Sequence, residues 1–151
     1  MYKLICLVVL LSAFINCSNI TGKNDKRKEL IRTAIELIRK GNVDSLQGIV
    51  DTSYFYKLHG KDGFFGIVER TQRKIAVCEV PNFDHYKIND PIPQLTEYTL
   101  QFCRAAGDSL TKNSFDLVFT FMNKQEPDLI ILIELRDYSY RNKRNEPPPG
   151  L

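Results

Sequence analysis

The residues with the most chemical potential are the two histidines, because an imidazole held by a carboxylate is a general base near neutral pH. His59 stands in KLHGKDG, three residues before Asp62, and His85 stands in FDHYK, beside Asp84. Both stretches are rich in turn residues and neither has a nucleophile at a recognisable spacing, so solvated loop histidines are the simpler reading. Glu134 interrupts the apolar run LIILIELRDYSY. Facing inward, its carboxyl could bind or catalyse; at an exposed strand end it would pair with Arg136 in water. The aromatics Tyr54, Phe55, Tyr56, Phe64 and Phe65 either line an apolar pocket or fill the core of a small domain. The pocket reading gives a ligand set of Tyr54, Tyr56, Phe64, Phe65 and Glu134, suited to an uncharged or weakly acidic apolar molecule. No residue is assigned a catalytic role. H-x-x-x-H, C-x-x-C and D-x-D-x-D patterns are missing, as are G-x-x-x-x-G-K and G-x-G-x-x-G, so neither a metal nor another cofactor is expected.

The cysteines carry a different kind of information. The apolar run from Leu4 to Ile15 is too short to span a hydrocarbon core about 30 Å thick. With Lys3 ahead of it and polar residues after it, the run has the form of a secretory signal, assigned to residues 1–16. Leu11 to Cys17, a cysteine directly after the apolar core, resembles the lipobox of bacterial lipoproteins. The resemblance implies that the Cys17 sulfur is acylated and becomes the mature N-terminus, anchoring the chain to the cell envelope. An ordinary secreted protein cut near Cys17 is the alternative, and NCS and NIT at Asn16 and Asn19 are formal glycosylation acceptors. Residues 17–25 form the lipidated cysteine and its polar tether. In an exported chain Cys78 and Cys103 either pair or remain buried thiols. The formal charge of +3 includes Lys3, so the mature chain is near neutral and gives no argument for a nucleic-acid partner.

The elements that must position these residues follow from hydrophobic period. DKRKELIRTAIELIRKGN places Leu30, Ile31, Ala34, Ile35 and Ile38 on one helical face, with Gly41 as a stop. NVDSLQGIV predicts a second short helix, and the aromatic alternation of SYFYKL predicts a strand. HGKDG predicts a turn, and FFGIVERTQRKI a third helix. IAVCEV predicts a short strand closed by Pro81, and PNFDHYKINDPIPQ a loop or irregular edge. LTEYTLQFCRAA alternates with Tyr98, Leu100 and Phe102 on one side. SFDLVFTFMN faces Phe115, Leu117, Phe119 and Phe121 inward, and after KQEPD the last strand is expected to set Leu129, Ile131, Ile133 and Leu135 against them. The charged, proline-rich residues 141–151 are expected to be disordered.

Helices first and long antiparallel strands last make an α+β plan over residues 26–140, with helices packed on a curved sheet. AIELIRKGNVDSLQGIVDTS, GKDGFFGIVE and the final hairpin resemble the nuclear-transport-factor-two-like superfamily, cone-shaped α+β domains akin in outline to cystatins. That group includes steroid isomerases, dehydratases and non-catalytic pocket proteins, and its catalytic constellation does not align to this chain. Three functions are therefore in play: an envelope lipoprotein binding a small apolar ligand or an envelope protein, an isomerase or hydrolyase with a pocket carboxylate, and an envelope scaffold.

Overall fold

A computed structural model describes residues 26–78, 81, 83, 85–105, 110, 111, 113–124 and 127–138. The signal, Cys17, the tether and the tail all lie outside the described residues, as does Asp84.

Helix α1 covers 26–40 and buries Ile31, Ala34, Ile35 and Ile38, the stripe expected from spacing. It ends in a Schellman arrangement: Gly41 N–H donates to Ile38 O at 3.1 Å and Asn42 N–H to Leu37 O at 2.9 Å. This close requires φ of +68° at Gly41, which glycine adopts without a Cβ penalty. Asn42 then caps α2 (Val43–Gln47) by accepting from Ser45 N–H.

Helix α3 (Thr52–Ile75) is capped by Asp51, whose carboxylate accepts from Tyr54 N–H at 3.0 Å. SYFYKL is therefore helical, not a strand. Six aromatic-rich residues satisfy either period, and the cap and the following helix decide between them. HGKDG is likewise no chain-reversing turn. Gly60, at φ 71° and ψ 168°, breaks α3 into two helical arms that meet at a kink. The second arm buries Phe64, Val68, Thr71 and Ile75 at intervals of four, three and four. The strand expected at IAVCEV is also corrected: Ile75 ends the helix and residues 76–78 form a turn.

Four strands, β1 (Lys87–Ile92), β2 (Leu95–Phe102), β3 (Phe115–Met122) and β4 (Ile130–Asp137), form an antiparallel sheet in chain order. The protein is thus α+β. Tyr98, Phe119 and Ile133 are in register across the sheet, as are Leu100, Leu117 and Leu135. Together with the helical stripes they form one core. A register shift between Thr120 and Phe121 pairs Phe121 with Ile130. Ile130, expected on the outer face, therefore joins the core cluster, while Ile131 is buried outside it. One extra residue in a strand exchanges the faces before it.

The sheet's two edges differ. β4 is closed by a parallel bridge from Val50 to Ile130, with Asp51 N–H donating to Ile130 O at 2.8 Å. β1 is exposed along its whole length and carries Lys87, Asp90 and Pro91, residues that discourage strand addition. Among the described residues no helix is long and apolar enough to cross a membrane.

Candidate functional site

The predicted aromatic set is only partly assembled. Phe64 is fully buried and meets Phe55 edge to face, with ring centroids 5.1 Å apart. Tyr56 lies 5.9 Å from Phe64, and its hydroxyl accepts from Gln47 Nε2 at 3.0 Å. Phe65 is 37 % exposed, 5.7 Å from Phe64 and beneath Lys61. Tyr54 is half-buried in the first turn of α3. Phe55 and Phe64, on opposite arms of the kink, are core residues, so this cluster packs the joint between the two arms.

Glu134 is not part of that cluster. It pairs with Val118, whose neighbours Leu117 and Phe119 face the core, so Glu134 points from the opposite face of the sheet. Its side chain is 46 % exposed and accepts from Arg136 at 2.9 Å, and Arg136 also reaches toward Glu97 at 3.9 Å. The ion pair with Glu134 raises the Arg136 pKa further. His59 is exposed near Phe55, and His85 is exposed ahead of β1. Among the described residues no hydrogen bond or ion pair joins either imidazole to a carboxylate, and Asp84, the predicted partner of His85, lies outside them.

Two buried polar networks hold the architecture. Arg27, 2 % exposed on α1, donates from Nε and Nη2 to Asp128 Oδ1 at 3.1 and 3.0 Å. Its other guanidinium bonds reach Asn123 Oδ1 and Met122 O, both at 3.0 Å. Asn123 in turn donates to Pro93 O and accepts from Thr96, so α1 is tied to the ends of both hairpins. Burial raises the pKa of the Tyr98 hydroxyl, with Arg27 opposing the shift. On the outer face, Arg104 and Tyr138 both donate to Asp116, and the guanidinium lies 5.0 Å from the Tyr138 ring centroid. Burial, followed by the bond to Asp116, raises the pKa of Tyr138. The Arg27 guanidinium engages acceptors through all three of its nitrogens, as a stable buried charge requires, whereas Arg104 engages Asp116 through Nη2 and leaves its buried Nε without a partner among the described residues.

The site that sequence reasoning missed is a cleft of about 380 Å³ between the second arm of α3 and the end of β4. Arg70, Arg73, Lys74 and Val77 line one side, and Asn113, Leu135 and Asp137 the other. Arg70, Arg73 and Lys74 recur on α3 at i, i+3 and i+4, and Val77, at i+7, lies in the turn that follows, a spacing visible in RTQRKIAV. Lys74 Nζ pairs with Asp137 at 2.7 Å and Arg73 with Glu69 at 2.8 Å. Arg70 donates from Nε to Gly66 O at 3.1 Å. Val77 is 70 % exposed at the rim. Three cations, one lining carboxylate and an apolar wall suit reversible binding of a small ligand; they do not assemble an acid, a base and a nucleophile.

Next in the chain after Val77, Cys78 forms a disulfide with Cys103, the Cα atoms 5.5 Å apart, joining the turn after α3 to the end of β2. Cys103 has φ of +52°, and its carbonyl accepts from Thr111 Oγ1 at 2.9 Å and Ser114 Oγ at 2.8 Å. No family model, curated protein or solved structure matches the chain.

Proposed function

We propose that this chain is an envelope lipoprotein, exported behind its N-terminal signal and anchored through Cys17, whose α+β domain binds a small ligand or protein partner without transforming it. The Cys78–Cys103 disulfide is the observation that carries the export reading, since such bonds persist in oxidising compartments. The binding reading is supported by the cleft between α3 and β4, whose volume lies in the range of ligand pockets, about 300–1,000 Å³. The nuclear-transport-factor-two-like or cystatin-like cone remains part of this proposal, supported by helices gathered on one face of an antiparallel meander. An enzymatic role through Glu134 is disfavoured by its half-exposed position on the outer face. A scaffold role draws support from that face, which presents Glu134 and Arg136 to solvent.

The test is metabolic labelling with a fatty acid in a bacterial host, on wild type and Cys17→Ser, with thiol alkylation before and after reduction. Acylation lost in Cys17→Ser, together with Cys78 and Cys103 protected until reduction, is the expected result. Labelling that survives the substitution overturns the anchor, and freely alkylated Cys78 and Cys103 overturn export to an oxidising compartment.

A further inference from the structure

We infer that the cleft between α3 and β4 binds a small monocarboxylate with a short apolar body, held by Arg70; this rests on the binding-domain reading above and names its site and ligand class. Of the three cations, Arg73 and Lys74 are already paired with Glu69 and Asp137. Arg70 differs. Among the described residues no carboxylate pairs with it, and its Nε bond to Gly66 O occupies one edge of the guanidinium while leaving the terminal nitrogens available. A planar fork of this kind matches a carboxylate with two parallel bonds.

The surroundings select the ligand's charge. One uncompensated cation in a cleft also lined by Asp137 favours a single negative charge, and a second would find no unpaired cation, since Arg73 and Lys74 are already engaged. The α3 C-terminus, the negative end of the helix dipole, also opposes an anion, and Arg73 and Lys74 in its last turn offset this. Stabilising the helix end explains those two cations. It explains neither Arg70, a turn earlier, nor the exposure of Val77 at the rim. Val77, Leu135 and the Arg and Lys stems supply an apolar wall for a short chain or small ring.

The experiment is an NMR titration of the full chain carrying Cys17→Ser, so that no acyl group competes, with hexanoate, 1-hexanol and adipate at low ionic strength. Hexanoate is expected to give saturable amide shifts at Arg70, Lys74, Val77 and Asn113, with 1-hexanol and adipate at least about tenfold weaker. Arg70→Gln should weaken hexanoate about tenfold while the rest of the spectrum stays in place, and Arg70→Lys, which keeps charge but loses the fork, should fall between. No saturable hexanoate shift, or equal affinity in Arg70→Gln, overturns the site. Tighter binding of 1-hexanol or adipate in the cleft overturns the ligand class while leaving a binding domain. Failure of the anchor and export reading appears separately, in the Cys17 labelling.

Discussion

Removing the disulfide perturbs this fold at a point where the cost can be worked from geometry. The bond closes a loop with a sequence separation of 25, which loop-closure entropy values at about 3.5 kcal/mol, between roughly 3 for 15 residues and 4.7 for 100. That is a large share of a stability near 5–15 kcal/mol. Cys103 adds a second effect, because its left-handed φ of +52° costs an L-residue about 1–2 kcal/mol relative to glycine. Thr111 and Ser114 hold the Cys103 carbonyl independently of the sulfur, so the turn should survive without the bond. Cys78→Ala with Cys103→Ala should therefore lose about 3.5 kcal/mol in urea denaturation. Cys78→Ala with Cys103→Gly should lose roughly 0.5–1 kcal/mol less, the strain relief exceeding glycine's extra unfolded-state entropy. The closed loop contains β1, the exposed edge strand, so its amides should lose the most exchange protection on reduction. Equal stability of oxidised and reduced wild type, or alanine at 103 as stable as glycine, would refute this reasoning.

Arg27→Met should cost about 3–5 kcal/mol because it takes the guanidinium away from the nearly buried Asp128 carboxylate, and adding Asp128→Leu should recover part of the loss, as a double-mutant cycle in urea would show. Phe119→Ala and Ile130→Ala should each cost about 2–5 kcal/mol and Thr120→Ala about 1, and similar losses for all three would contradict the facing set by the register shift. Tyr98 has its pKa raised by burial, so above the unfolded tyrosine value of about 10 the unfolded chain releases this proton first and stability falls as pH rises through the folded value. Below about pH 10 the contribution is fully present. Tyr98→Phe should flatten the fall in urea midpoint above about pH 10, leaving the part that comes from Tyr138.

What the sequence discloses depends on how far apart the contributing residues lie. The stripe Ile31, Ala34, Ile35 and Ile38 and the alternation of Tyr98, Leu100 and Phe102 are local periodicities, and both elements form where their period places them. The misread segments fail locally too. SYFYKL is too short for its aromatic alternation to exclude a helix, and Gly60 kinks one helix where a glycine-rich stretch suggests a turn between two elements. In β4 the error is of another kind, because the register shift depends on the partner strand and nothing within LIILIEL announces it. The sequence leaves the pairing of Cys78 with Cys103 open for the same reason: only with α3 running to Ile75 does Cys78 fall three residues beyond it and beside the end of β2.

The candidate site lies furthest from local legibility. Its stripe of Arg70, Arg73, Lys74 and Val77 reads on its own as a solvated helix face closing with dipole-compatible charges. It becomes a cleft only when Leu135 and Asp137, some sixty residues later in the chain, are laid against it by the order of the sheet. The same sheet order sends Glu134 to the opposite face, because adjacent positions in a strand face opposite ways. Leu135 and Glu134 are thus neighbours in sequence and lie on different surfaces. Any function drawn from the apolar run containing them must first decide which face it concerns; the cleft selects Leu135 and Asp137.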